Sequence, residues 1–121
     1  MWGFTSRGAR LGEGRRSART MQVGLTRLTI RGPVEHAVIE LSGELDFSNA
    51  QDVVATAVSQ PHRFASVDVS GLEFIDSAGC RALKAIIRAN AVDGDVPQLV
   101  GTSLAVQRTL SLVGSRDSVF V

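Results

Sequence analysis

A short apolar strand that runs directly into a long amphipathic helix is the feature that most limits how this chain can fold. The apolar positions of residues 67–75 end at Asp76-Ser77, and a helical pattern then continues to about Ala91, with Gly94 as its stop. At such a junction the first backbone N–H groups of the helix are unpaired and the helix dipole is positive. The hydroxyl of Ser77 can therefore act as an N-cap or carry a phosphate, and we interpret Ser77 as doing both.

Two extended segments precede this junction and predict a β-hairpin. Residues 22–31 combine apolar residues with threonines, residues 37–41 alternate cleanly between apolar and polar, and Gly32-Pro33 between them is a turn signal. The alternation in the first segment slips near Arg27, which predicts an edge strand or a bulge there. We therefore expect one strand on either side of Gly32-Pro33.

A helix and a third strand are predicted after the hairpin. Ser48 and Gln51 have the spacing of a capping box, and the apolar positions from Ala50 onward fit one face of a helix that ends before Pro61. Residues 64–69 form a short apolar run that is typical of a buried strand. Because this strand follows a strand and a helix, the order predicts a right-handed crossover and at least one parallel strand pair.

The C-terminal part of the chain continues the alternation of strand and helix. Residues 96–100 predict a strand, residues 104–113 predict a helix with Ser103 as N-cap, and Gly114 is suited to ending that helix. Residues 119–121 predict a final strand.

The composition fits one globular domain. The chain has 121 residues, which is long enough for one domain with one core. Of these residues 44% are hydrophobic and 21% are charged, which is ordinary for a globular domain. A single cysteine excludes an internal disulfide and gives no support for a cysteine-based metal site. No apolar run approaches the roughly 18 residues that a membrane helix needs, so we expect the protein in the reducing cytoplasm.

Charge is divided unevenly between a basic start and an acidic remainder. Residues 1–20 carry five arginines against one glutamate, a net charge of +4, and the remaining residues carry a net charge of −3. We expect residues 1–20 to be a disordered basic leader and residues 21–121 to be the folded domain. A transit peptide, a nucleic-acid-binding arm, and an extension upstream of a natural start at Met21 are the alternatives for the leader. The acidic remainder is not typical of a nucleic-acid-binding domain.

The helix that follows Asp76 carries a basic stripe. Arg81, Lys84 and Arg88 follow Ser77 at spacings of four, seven and eleven residues, so the four side chains lie along one side of the helix. Charged residues on the outer face of a helix are common without any function. The functional interpretation gains weight because this stripe begins at Ser77.

Motifs that would indicate an enzyme are absent from the sequence. It contains no P-loop, no paired glycine-rich dinucleotide turn, and no serine–histidine–aspartate arrangement with supporting context. We interpret His36 and His62 as exposed polar residues, since neither has a second ligand at metal-binding spacing. Cys80 is expected to be a small buried residue rather than a thiol activated by the helix dipole. Asp46 and Asp76 are by default turn or cap residues.

Three motifs in this order resemble the STAS domain family, specifically its anti-sigma factor antagonists. Residues 43–46, Gly-Glu-Leu-Asp, together with Ala50 resemble the family's first motif and the helix after it. Residues 72–79, Leu-Glu-Phe-Ile-Asp-Ser-Ala-Gly, resemble the family signature, which usually ends Asp-Ser-Ser-Gly or Asp-Ser-Ala-Gly. Residues 103–110, closed by Gly114, resemble the family's third helix. The similarity covers about residues 22–121.

The resemblance implies a fold and a mode of action. The fold is an α/β STAS-type domain with a mixed, mostly parallel, four- to five-stranded sheet and helices packed against it. Ser77 is implied to be the phosphoacceptor, and the partner is an anti-sigma factor serine kinase of the histidine-kinase-like ATPase fold. The unphosphorylated protein would bind this kinase and release a sigma factor, phosphorylation would break the complex, and a serine phosphatase would restore it.

The docking surface that we expect follows from the same resemblance and from the basic stripe. Its residues are Asp46, Asp76, Ala78, Gly79, Arg81, Lys84 and Arg88. We expect no catalytic residue, cofactor, metal ion, direct nucleic-acid contact or membrane contact. The sequence leaves open whether the protein forms a homodimer.

Two other functions compete with the phosphorylation switch. One is a non-switching STAS scaffold or transporter-accessory subunit, and the presence of Ser77 and Asp76 favours the switch over it without excluding it. The other is a nucleotide hydrolase, since some relatives have been proposed to bind nucleotides. The absence of a phosphate-cradling loop and of a catalytic base disfavours the hydrolase.

Overall fold

Five strands and three helices are formed by residues 18–114, the part of the chain that the computed structural model describes. The strands are β1 (Ala18–Val23), β2 (Thr26–Arg31), β3 (Ala37–Leu45), β4 (Phe64–Ile75) and β5 (Gln98–Val100). The helices are α1 (Ala50–Val58), α2 (Ser77–Ala89) and α3 (Leu104–Gly114). The strand predicted at residues 119–121 and most of the predicted leader lie outside the described residues.

The five strands form one mixed sheet in the order β1-β2-β3-β4-β5. The pairs β1/β2 and β2/β3 are antiparallel, whereas β3/β4 and β4/β5 are parallel. The α/β fold with a five-stranded mixed sheet and three helices is thus confirmed, as are the hairpin across Gly32-Pro33 and the parallel pair across α1. The sheet is evenly mixed rather than mostly parallel, because the first predicted strand is in fact two strands.

A tight turn divides the segment that we predicted to be a single strand at residues 22–31. Gly24 has a φ of +59°, in the left-handed region that glycine adopts without strain, and it connects β1 to β2. This turn explains the slip in the alternation before Arg27, since the chain reverses direction there. Ala18–Thr20, which the sequence placed in the leader, belong to β1.

The core lies on one face of the sheet, as the alternation of buried residues with exposed or half-buried ones in β2 and in the first part of β3 shows. In β3 the side chains of Ala37, Ile39 and Leu41 are buried, and the residues between them are half-buried. The helices contribute further buried side chains, which include Val53, Leu83, Ile86, Ile87, Val106 and Leu110. Burial of these aliphatic side chains is the main source of stability.

The helix ends differ in detail from the predictions. At α3, the backbone N–H of Val106 donates to Ser103 Oγ over 3.2 Å, which confirms Ser103 as N-cap. At α1, the capping box was wrong, because the N-cap position is Asn49 rather than Ser48. α2 ends at Ala89 with Asn90 as C-cap, before the expected end at Ala91.

Candidate functional site

The site is formed where two neighbouring parallel strands end. Leu45, the last residue of β3, pairs with Ile75, the last residue of β4. Asp46 and Asp76 therefore follow adjacent strand ends, and the backbone N–H of Asp76 donates to the Leu45 carbonyl over 3.4 Å. The register of the sheet thus brings together two motifs that are 30 residues apart in the sequence.

The Asp76 carboxylate joins the start of α2 to the loop before α1. Its Oδ1 accepts the backbone N–H of Gly79 at 2.9 Å, so Asp76 is the N-cap of α2. Its Oδ2 accepts the backbone N–H of Phe47 at 3.1 Å. Our prediction that Ser77 is the N-cap was wrong, since Ser77 is the first residue inside the helix.

Replacing Asp76 by alanine is expected to destabilise the fold by about 2 kcal/mol, because the change removes the helix cap and leaves the Phe47 N–H without its acceptor. Urea denaturation of the purified protein measures this loss. Asp76→Asn is the matched control. It keeps one acceptor oxygen, so it should lose roughly half as much stability as Asp76→Ala. Equal stability of wild type and Asp76→Ala would contradict the capping role.

The Ser77 hydroxyl is accessible. Ser77 is exposed, and within residues 18–114 its side chain makes no hydrogen bond. Because Asp76 caps the helix, the Ser77 hydroxyl is not required to hold the start of α2. A group attached to its oxygen would lie at the N-terminal end of α2, where the dipole favours negative charge.

Asp46 shapes the loop that faces the start of α2. Its Oδ1 accepts both the backbone N–H of Ser48, at 2.9 Å, and the Ser48 hydroxyl. The Asp46 carbonyl accepts the backbone N–H groups of Asn49 and Ala50, at 3.2 and 2.9 Å. Asp46 is half-buried, and its Oδ1 and its carbonyl oxygen both accept hydrogen bonds within this turn, so Asp46 fixes the position of the loop.

Asn49 holds the same loop through its side chain, although the sequence did not predict it as a site residue. Its side chain is only 4% exposed. Oδ1 accepts the backbone N–H of Asp46, and Nδ2 donates to the carbonyls of Val23 and Glu44 and to the Thr26 hydroxyl, all within 3.2 Å. The side chain therefore ties the β1–β2 turn, the end of β3 and the start of α1 together.

Gly79 allows α2 to pack closely against the end of β3. A Cβ at this position would overlap the Leu45 carbonyl oxygen and lie 2.7 Å from the Ile75 side chain. Gly79 is buried, so its contribution is this close approach and not an exposed contact surface. Ala78, by contrast, is half-buried.

The predicted basic stripe lies on the accessible side of α2. Arg81 and Arg88 are exposed and Lys84 is half-buried, while the other side of the helix faces the core.

Two large apolar side chains lie nearby in the chain and were not predicted as site residues. Phe47 is 82% exposed and Phe74 is 50% exposed. The available signal for Phe47 was its position in a polar turn outside every apolar pattern.

Cys80 is an inert buried thiol. Its side chain is fully buried, which confirms the prediction of a small core residue. Burial, together with the Asp76 carboxylate, raises the pKa of the thiol from 9.0 to about 11, against the lowering effects of Arg81 and Lys84. The thiol is therefore protonated at neutral pH. Since the unfolded thiol ionises first, the folded state loses stability as the pH rises above 9.0.

The two histidines differ in their surroundings. His36 is exposed as expected, but His62 is half-buried and its ring stacks on Phe64 with centroids 6.4 Å apart. Among residues 18–114, no group of three histidine, cysteine or acidic side chains could hold a metal ion. In the same part of the chain, none of the helices has the length and apolar character that crossing a membrane requires.

Comparisons with known proteins identify relatives of this fold. The family model described as "Mlab, STAS domain" matches residues 28–120. A solved antisigma-factor antagonist STAS domain from Rhodobacter sphaeroides is 20% identical, with a TM-score of 0.56 over 68% of this chain and 92% of the other. A solved anti-sigma factor antagonist from Mycobacterium paratuberculosis is 21% identical, with a TM-score of 0.53 over 84% of this chain and 82% of the other. No match was found among the curated proteins.

Proposed function

The chain belongs to the STAS domain family, and we propose that it is a cytoplasmic anti-sigma factor antagonist controlled by phosphorylation of Ser77. In this proposal the protein is a regulatory binding module and not an enzyme. The unphosphorylated form binds an anti-sigma factor serine kinase of the histidine-kinase-like ATPase fold and thereby releases a sigma factor. Phosphorylation by the kinase ends the complex, and a serine phosphatase restores it.

One observation carries the proposal. Ser77 is an exposed serine at the first residue of α2, and its neighbour Asp76, not Ser77 itself, caps the helix. A phosphate on Ser77 adds about −1.5 to −2 charges. The first turn of α2 provides N–H groups without helical partners, and Arg81 lies one turn further along. The modification therefore leaves the Asp76 cap and the buried core in place, and it changes the surface.

The docking surface consists of the exposed and half-buried residues around Ser77. The loop at Asp46 and the start of α2 at Ala78 border the serine, and the stripe of Arg81, Lys84 and Arg88 extends away from it. A partner shaped for the Ser77 hydroxyl would meet new charge and bulk at this point after phosphorylation. The solved relatives described as anti-sigma factor antagonists support this kind of partner.

The second candidate is a non-switching STAS scaffold or transporter-accessory subunit that uses the same surface. The matched family model favours keeping this candidate, because its description, "Mlab, STAS domain", names no sigma factor. In a scaffold, the Ser77 hydroxyl would stay unmodified throughout.

Incubation with the source organism's serine kinases of this ATPase fold, with ATP, separates the two candidates. We expect one phosphate on the wild-type protein, located to Ser77 by peptide mapping, and none on Ser77→Ala. The unfolding temperatures of the two proteins should agree, because the Ser77 side chain makes no hydrogen bond within the described residues. Phosphate on Ser77→Ala would move the acceptor elsewhere, and no phosphorylation by any of these kinases would favour the scaffold.

A further inference from the structure

A surface groove of about 620 Å³ lies between α1 and α2 and begins at the residue after Ser77. Ala78, Ala82 and Ala85 line it from α2, and Ala50 and Val54 line it from α1. Phe47, 82% exposed, lies beside it. The groove thus extends the proposed docking surface away from the serine with small apolar side chains.

The size of the groove suits a short length of helix. Its α2 wall runs from Ala78 to Ala85, which is about 10 Å at 1.5 Å per residue, or roughly two helical turns. Alanine on both walls allows another helix to approach closely, since interaxial distances depend on the side chains at the contact. Phe47 could cover the apolar side of such a helix.

Backbone hydrogen bonding favours a helix over an extended peptide as the occupant. Both walls are helices, whose N–H and C=O groups are largely paired within each helix. An extended segment would find no strand edge here and would leave its own backbone groups unpaired against apolar walls. A helix satisfies these groups internally, so it can bury its apolar face without that cost.

The charge of the groove favours an acidic partner. Arg81 is the charged residue among those that line it, and Lys84 and Arg88 continue the basic stripe beyond it. Glutamate or aspartate on the flank of a docked helix would face this stripe, and such complementarity speeds association and fixes orientation.

We propose that this groove binds about two turns of an acidic amphipathic helix of the kinase partner. The inference rests on the proposed function, and it adds what the partner presents to the surface. It also gives phosphorylation a physical effect, because a dianion on Ser77 would stand at the end of the groove and repel the acidic helix.

The test compares groove variants in a Ser77→Ala background, so that phosphorylation cannot change during the measurement. By calorimetry against the kinase, Ala85→Trp should fill the groove and weaken binding at least about tenfold. Arg81→Glu should also weaken binding about tenfold, with the larger loss at low salt. Arg81 is exposed, so this second variant folds even if the tryptophan is not tolerated.

Matched controls carry the same changes away from the groove. Ala105→Trp on α3 and Arg27→Glu on β2 concern exposed residues that do not line it, and both should bind like the Ser77→Ala parent. A photoreactive amino acid at Gln51, in the groove wall, should crosslink to a helical, acidic segment of the kinase.

The outcomes separate the two proposals. If the Ser77→Ala parent binds no kinase, the proposed function is wrong and this inference is overturned with it. If the parent binds but both groove variants match their controls, or Gln51 crosslinks to a basic or non-helical segment, the groove inference alone is overturned.

Discussion

Ser77→Asp is expected to bind the anti-sigma factor kinase roughly a hundredfold more weakly than the wild-type protein, a loss of about 3 kcal/mol. The aspartate places a permanent negative charge at the start of α2, beside the carboxylate of Asp76. The fold tolerates this charge, since the N-terminal end of a helix favours it. A partner surface that accepts a hydroxyl must desolvate the charge or be repelled by it, and like-charge contacts cost several kcal/mol.

The control for this experiment is the same added charge elsewhere. Gln98→Glu introduces one negative charge on exposed β5, near the opposite end of β4, and should bind the kinase like the wild type. Ser77→Ala should also bind like the wild type. If Ser77→Asp and Gln98→Glu bound equally well, the serine would lie outside the docking surface.

The second large effect is on stability, and it concerns Asn49. Asn49→Ala is expected to lower the free energy of unfolding by about 2–4 kcal/mol, because it removes a buried side chain and all four of its hydrogen bonds. For a domain of this size the loss corresponds to a fall in unfolding temperature on the order of 10–20 °C. Thermal unfolding followed by circular dichroism measures it.

Ser48→Ala decides between the two residues that could hold the start of α1. Ser48 is exposed and bonds only within the local turn, so its loss should cost less than about 0.5 kcal/mol. If Ser48 were the N-cap of a capping box, Ser48→Ala would destabilise the protein more than Asn49→Ala. A Ser48→Ala variant less stable than Asn49→Ala would restore that interpretation.

The fold was predictable where periodicity and turn residues agree. The helix α1, the strand that begins at Phe64 and the N-cap Ser103 all follow from local patterns, although that strand continues to Ile75 instead of ending at Val69 as predicted. The β1–β2 turn was not predictable in this way, because Gly24 lacks a second turn residue and the strands on either side have similar composition. The turn forms because β1 pairs with β2, and this pairing depends on contacts between residues that a linear pattern does not show.

The sequence located the start of α2 correctly, but not the contacts that hold it. Asp76 and Ser77 were identified as neighbours at a helix start, but Ser77 was predicted to cap the helix and Asp76 caps it. Asp76 also makes a contact that a linear pattern does not show, since its second oxygen accepts the N–H of Phe47, 29 residues earlier in the chain. Asn49 escaped notice for the same reason, since its partners come from three separate segments.

The most direct test is calorimetric titration of the kinase with two preparations of the wild-type protein, one unphosphorylated and one carrying a single phosphate on Ser77. The proposal predicts tight binding of the first and binding of the second weaker by about a hundredfold or more. The unfolding temperature of the phosphorylated protein should be no lower than that of the unphosphorylated one. Equal affinity of the two preparations would contradict control of docking by Ser77.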